Sequence, residues 1–325
     1  MVKLGTNLPE HLILGDPGAF KEFLQGLEQI GFGYVTMGDH ILGADQSVRP
    51  DWRPYFGQKT LYDHHTPWHE PLVMFGWMGA MTKTLELCTG ILVSPQRQTP
   101  LLAKQAAQAA LLTGDRIRFV VSVGWNDVEY EGMMVDFHKR GKIMDEQVPV
   151  LRMLWTQPSV DFKGEFHYLP HVGINPLPNK PIPLWMGGQS QPVLRRVGKM
   201  GDGWFPWYPW FNEEKMYADL ATIHEHAKAA GRSPADIGIE GAMYFDDPRF
   251  PMVKGDKFSP KTLEESVEHA KWWKKFGANR FWVTAPWANL GSDETGVRVV
   301  GKKWSGVEER LKAMEEFKKA VGPDF

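Results

Sequence analysis

The sequence predicts an α/β fold, a (β/α)8 TIM barrel, on three observations. Short β-type runs alternate with helical patterns along the whole 325-residue chain. The strand–helix repeats number eight, the count that closes a parallel sheet into a barrel. The first strand runs into Leu8-Pro9-Glu10, so the glycine loop of a dinucleotide-binding open sheet is missing.

The strands are read at Lys3–Asn7, Gly33–Asp39, Leu85–Val93, Ile117–Val123, Ile182–Gly187, Gly203–Trp207, Ile237–Phe245 and Arg280–Ala285. A capping residue before a proline marks helix starts at Asp16-Pro17, Thr66-Pro67, Thr99-Pro100 and Ser259-Pro260. Ser305-Gly306-Val307-Glu308 has the capping-box form for the last helix. Met144, Val148, Leu151 and Trp155 repeat at helical spacing, as do Val307, Leu311 and Met314.

Two stretches exceed a minimal barrel, one after strand 2 (Ile41 to Pro67) and one after helix 4 (Gln157 to Pro181). Loops this long in compact domains are usually functional or disordered. Within the second, Asp161 to Tyr168 reads as a β-hairpin turning at Lys163-Gly164. No linker or repeat divides the chain, which reads as one domain, 1–325.

Charge is balanced, 37 basic against 39 acidic residues, which argues against nucleic-acid and anionic-membrane partners. One cysteine, Cys88, excludes an intrachain disulfide and suits a reducing compartment. The first residues read directly into a strand without the features of a signal peptide, and no run approaches a membrane span. A cytoplasmic location is expected. The composition has one outlier, 14 tryptophans, several of them within Trp204 to Phe211. They suit either a core or subunit interface, or an aromatic pocket for a planar cofactor or apolar substrate.

Active sites of such barrels gather at the C-terminal ends of the strands. That rule selects Asn7, Asp39-His40, Ser94-Pro95-Gln96, Gly124-Trp125-Asn126, Gly187-Gly188-Gln189-Ser190 and Trp207-Tyr208. Histidine exchanges a proton near neutral pH, and an adjacent carboxylate favours its charged form or fixes its tautomer. Gly187 to Ser190 end a strand and open a helix, which suits an anion such as a phosphate, or else an ordinary turn with Ser190 as cap. Asp63-His64-His65-Thr66-Pro67-Trp68-His69-Glu70 could suggest a divalent metal and a hydrolase. It lacks the HExxH pattern and is interrupted by Pro67, so no metal is expected. His64 or His69 could instead reach over the barrel mouth to a substrate.

Thr89-Gly90-Ile91-Leu92-Val93-Ser94-Pro95, running into Pro100 to Gln105, resembles the third strand and helix of the bacterial-luciferase-like superfamily. This superfamily holds luciferase-like monooxygenases and coenzyme-F420-dependent oxidoreductases. Val123 to Asn126, Phe137 to Gly141 with Asp145-Glu146-Gln147, Pro181 to Gly188 and Gly201 to Trp204 match in the same order, about two-thirds of the chain. The resemblance implies a flavin or deazaflavin oxidoreductase and a homodimer. It places His40 at the reactive ring carbon for proton transfer with Asp39 close by, and the phosphate tail on Gly187, Gly188, Gln189 and Ser190. Gly90, Ile91, Ser94, Gly124 and Asn126 would line the cofactor, with a non-proline cis peptide at Gly90-Ile91 or Ile91-Leu92. Trp125, Trp207, His64 and His69 would form the substrate pocket.

Sugar-phosphate dehydrogenases of the deazaflavin branch carry glutamate where Trp125 stands. The tryptophan instead favours an apolar or aromatic substrate. The Asp39-His40 pair favours F420 and hydride transfer. The alternative is FMN, with reduced flavin supplied by a separate reductase for oxygen chemistry. A flavin-binding protein without catalysis is the remaining rival.

Overall fold

The computed structural model describes residues 1–8, 16–53, 62–206, 212–242, 262–283 and 307–325. Within them each repeat is a parallel strand followed by a helix. The chain divides into two compact units, one of residues Met1–Thr36, Met81–Glu86 and Gly187–Phe325, the other of Met37–Ala80 and Leu87–Met186.

The first unit holds β1 (Lys3–Asn7), nearly all of β2 (Tyr34–Met37), β9 (Gly203–Phe205), β10 (Gly238–Ala242) and β11 (Arg280–Val283). They pair in parallel in the order β2-β1-β11-β10-β9. Around them lie α1 (Pro17–Ile30), α6 (Gln191–Met200), α7 (Glu213–Ala229), α8 (Leu263–Phe276) and α9 (Val307–Val321). Helix α1 starts as the sequence predicts: Asp16 accepts from the Ala19 N–H ahead of Pro17 in the first turn. Its end is set by Gly31 in the left-handed region, closing on the Leu27 and Glu28 carbonyls. Trp204, Trp273, Phe281 and Phe317 are fully buried, so Trp204 serves the core.

In the second unit β5 (Ile117–Ser122) is central, pairing in parallel with β3 (Glu86–Thr89), β4 (Leu92–Val93) and β8 (Leu184–Gly187). The third predicted strand is thus split into β3 and β4, and a cis peptide joins Gly90 to Ile91 between them. The helices are α2 (Pro71–Met81), α3 (Thr99–Thr113), α4 (Asp127–Gly132) and α5 (Arg140–Thr156). Met144, Val148, Leu151 and Trp155 form the buried face of α5, and the Trp155 indole donates to the Ala103 carbonyl of α3.

Two helix starts differ from expectation. Thr66-Pro67 does not open α2, because Asp63 draws the Thr66 hydroxyl and the His65 N–H into a turn. The helix begins at Pro71, where Glu70 accepts from the Val73 N–H at 2.7 Å. Thr99 is the first residue of α3, after Gln98, and its hydroxyl turns to Gln147 and His167. The predicted Ser259-Pro260 and Ser305 caps lie outside the described residues.

The insertion after α5, the fourth helix read from the sequence, carries the expected hairpin, β6 (Val160–Lys163) and β7 (Tyr168–Val172), antiparallel. Glu146 of α5 seats its turn, accepting the N–H groups of Glu165, Phe166 and His167 at 2.6, 3.0 and 3.2 Å. Residues 41–53 of the earlier insertion are fastened to α4. The Trp52 indole donates to Asp127, the Arg49 guanidinium to Glu131, and the Ile41 and Leu42 N–H groups to Glu129.

Candidate active site

His40 leaves the end of β2 half-buried in the second unit. Its Nδ1 lies 3.1 Å from Oε2 of Glu129, whose side chain is 1% exposed. The other oxygen of that carboxylate accepts the N–H of Ile41 at 2.7 Å and of Leu42 at 3.3 Å. Three aromatic rings surround the imidazole: Tyr62 at 4.2 Å between centroids, Trp68 at 4.7 Å and Trp125 at 5.7 Å. The cluster is an apolar setting for a group that moves a proton, and it contains the predicted Trp125.

Asp39 turns to different partners. Its carboxylate accepts from the Val93 N–H at 3.0 Å and from Arg97 through Nη2 at 2.5 Å and Nε at 3.3 Å. Arg97 also reaches Glu70, 2.8 Å away, at the start of α2. Burial raises the Asp39 carboxyl above its ordinary value, opposed by the Arg97 charge and hydrogen bonds and by the Val93 N–H. Asp39 therefore anchors the strand end, and the carboxylate bonded to His40 is Glu129.

Asn126 is buried and caps α4, its Oδ1 accepting from the Val128 N–H at 3.1 Å. Its amide nitrogen donates to the Tyr62 hydroxyl at 2.5 Å. Burial first, and the Glu129 charge second, hold the Tyr62 phenol well above its ordinary range, so it is a neutral hydroxyl. The Tyr62 hydroxyl in turn donates to the Leu42 carbonyl at 3.3 Å. Both ends of the Asn126 amide are thus engaged inside the protein. Gly124 adopts φ +65°, and a Cβ there would lie 2.7 Å from Val93, so the turn after β5 admits only glycine.

His64 is exposed and meets His65 and Asp45, outside the aromatic cluster. His69 is half-buried. Trp207 and Tyr208 lie outside the described residues, as do Trp210 and Phe211. No cluster of three or more metal-ligating side chains occurs among the described residues.

In the first unit Gly187 ends β8, and Gly188 takes φ +121°. The loop backbone is held by the Trp204 indole, which donates to the Gly188 carbonyl at 2.7 Å, and by the Gly188 N–H on Phe205. Ser190 precedes α6 without making a side-chain capping bond, which suits a hydroxyl kept for an external acceptor at a helix N-terminus. The Oε1 of Gln189 is shielded from solvent and has no hydrogen-bond partner among the described residues.

In the second unit the Ser94 hydroxyl and both amide atoms of Gln96 are buried without hydrogen-bond partners among the described residues, just beyond β4. Each such group costs about 1–3 kcal/mol until something satisfies it. The carbonyl and N–H edges of a flavin or deazaflavin ring match the donors and acceptors of Ser94 and Gln96, and, taken by itself, the loop from Gly187 to Ser190 suits a phosphate. The residues fit such a cofactor.

Comparison with known proteins settles the kinship. The profile of the luciferase-like monooxygenase family matches residues 3–249. The chain belongs to this family. An uncharacterised protein of Mycobacterium tuberculosis is 38% identical over 218 residues, covering 65% of this chain and 73% of its own length. An F420-dependent glucose-6-phosphate dehydrogenase of Mycolicibacterium gilvum is 30% identical over 229 residues, 65% of this chain and 67% of that one. Among solved structures, an F420-dependent secondary alcohol dehydrogenase in complex with an F420–acetone adduct has a TM-score of 0.71 at 18% identity, covering 99% of each chain.

This structural likeness shows the fold, the predicted (β/α)8 TIM barrel. As a luciferase-like protein the chain is an oxidoreductase that works with a deazaflavin or a flavin. No helix among the described residues is long and apolar enough to cross a membrane.

Sequence reasoning missed Glu129, Arg97, Tyr62 and Trp68. Glu129 carried a signal, since it is the first-turn acid three residues after the cap Asn126. That spacing reads as a capping pair and gives no hint of a partner 89 residues away.

Proposed function

We propose that this luciferase-like barrel uses coenzyme F420 for hydride transfer to or from a small apolar or aromatic organic substrate. The carrying observation is His40, held at Nδ1 by the Glu129 carboxylate with its other ring nitrogen left for proton transfer, inside the Tyr62, Trp68 and Trp125 rings. When bound, the deazaflavin supplies a two-electron hydride acceptor or donor. His40 takes or gives the accompanying proton. Gly187, Gly188, Gln189 and Ser190 hold the phosphate tail. Gly90, Ile91, Ser94 and Gly124 line the ring site, where Gln96 adds an amide. Asn126 acts through Tyr62.

The aromatic rings exclude water from the reacting groups. Trp125, standing where the related sugar-phosphate dehydrogenases place glutamate, supports an uncharged substrate over a sugar phosphate. Titration with oxidised F420 and with FMN, followed by fluorescence, tests the cofactor. Micromolar F420 binding is expected, and FMN binding with none of F420 would overturn it. Once a substrate is found, His40→Ala should abolish turnover while leaving F420 binding intact; unchanged turnover would remove the proton-transfer role.

The family's monooxygenases support the second reading, FMN with a separate reductase. The same titration separates the two. A homodimer is part of the proposal: α2 has no charged residue and exposes Val73 and Trp77, and neighbouring α3 exposes Leu101 and Leu112. Light scattering of the purified protein should give twice the chain mass.

A further inference from the structure

The Glu129 carboxylate does two things with its two oxygens. Oε1 collects the N–H groups of Ile41 and Leu42, the first two residues of the insertion after β2. Oε2 faces Nδ1 of His40, the residue immediately before it. The flanking acids of the same short helix, Asp127 and Glu131, hold Trp52 and Arg49 farther along the insertion. Gly132 completes this seat, since a Cβ there would lie 2.4 Å from Leu42.

We infer that Glu129 is a positioning residue: it fixes the His40 tautomer and makes that tautomer depend on the insertion being seated. The inference deepens the proton-transfer role of His40 proposed above and rests on it. An ionised carboxylate only accepts hydrogen bonds, and Oε1 is committed to two backbone donors. Nδ1 of His40 must therefore carry the hydrogen in the neutral ring, which leaves the lone pair on Nε2. A ring so held is ready to accept a proton at Nε2, and the imidazolium that results donates its Nδ1 hydrogen to a full negative charge.

The insertion backbone supplies two of the hydrogen bonds to Glu129, and the Tyr62 hydroxyl also bonds the same carboxylate. Lifting residues 41 and 42 would strip those two donors from the carboxylate and loosen its hold on His40. An open insertion then leaves His40 without an imposed tautomer, and a seated one sets it.

Glu129→Gln separates the two duties. A glutamine keeps one acceptor oxygen for Ile41 and Leu42, and its NH2 group stands where Oε2 was. That group donates to Nδ1, so the hydrogen of the neutral imidazole moves to Nε2. Glu129→Ala removes both duties. The test is 15N imidazole NMR of the cofactor-free protein above the titration range of histidine, with His40 identified by the signal lost in His40→Asn. Hydrogen exchange at the Ile41 and Leu42 amides is followed in parallel.

The wild type is expected to show the Nδ1–H tautomer at His40, Glu129→Gln the Nε2–H tautomer with amide protection retained. Glu129→Ala should show a mixture of tautomers with amide exchange at least ten-fold faster. A wild-type Nε2–H tautomer would overturn the inference without need of any variant. So would a Glu129→Gln protein whose His40 tautomer is unchanged, or a Glu129→Ala protein with undiminished protection. None of these readouts requires a cofactor, so failure to bind F420 would sink the functional reading and leave this one standing.

Discussion

Replacing Arg97 with Met tests how the strand end beneath the site is held. The Arg97 side chain is 11% exposed and Asp39 2% exposed, and their paired bonds run at 2.5 and 3.3 Å. Removing the guanidinium leaves a buried carboxylate with the Val93 N–H as its remaining described donor. Breaking one side of a buried pair costs about 3–5 kcal/mol, and the low exposure of both partners places Arg97→Met in that range.

The loss should depend on pH in a stated direction. Burial already raises the Asp39 carboxyl despite Arg97, and without Arg97 it rises further. A carboxyl raised in the folded state destabilises at high pH, where it must ionise, and ceases to do so below its unfolded value of about 3.9. The deficit of Arg97→Met against wild type is therefore larger at pH 7 and shrinks as the pH falls toward 4. Urea unfolding at both pH values measures it, with unchanged m-values securing the comparison. Adding Asp39→Asn should recover about 2 kcal/mol at pH 7, since the uncompensated charge is gone while Val93 keeps an acceptor. A deficit below about 1 kcal/mol at pH 7, or one equal at both pH values, would refute the reasoning.

Two further outcomes are expected. His269 is buried at 4% exposure, with Nε2 accepting from the Trp273 indole at 2.9 Å, and burial pushes it down to about 3. It stays neutral in the fold while the unfolded chain protonates below about 6.5, so stability drains as the pH falls, by about 2 kcal/mol at pH 5. His269→Gln, which keeps an acceptor for Trp273, should lose that much less between pH 7 and 5 in urea titrations; equal losses would contradict the assignment. Gly188→Ala should cost about 1–3 kcal/mol in thermal unfolding and weaken cofactor binding. The cause is φ +121°, since the new Cβ would meet Val193 at an ordinary 3.4 Å; an unaffected protein would show that the loop does not need its glycine.

Local periodicity and punctuation were enough to read the strand–helix repeats, because a buried parallel strand and the helix over it each carry their pattern within a few residues. Strand ends followed, and with them His40, Trp125 and the loop at Gly187 to Ser190. The hairpin from Val160 to Val172 was legible for the same reason. Helix starts were less secure. Asp16 caps as predicted, but Thr66 and Thr99 spend their hydroxyls on Asp63, and on Gln147 and His167. A side chain that can cap a helix can also bond elsewhere, and only the surroundings choose.

The pairing at the site shows what the sequence by itself could determine. Alternation and spacing were sufficient for the barrel, and for His40 at the mouth of a strand. They could not say which acid serves it. Asp39 is adjacent in the chain, yet consecutive residues leaving a strand point to opposite faces, so its carboxylate meets Val93 and Arg97. His40 finds Glu129, 89 positions away, because the second unit brings α4 beneath the start of the insertion. A hydrogen bond is a contact in space, and proximity along the chain predicts it only where the backbone turns two neighbours the same way.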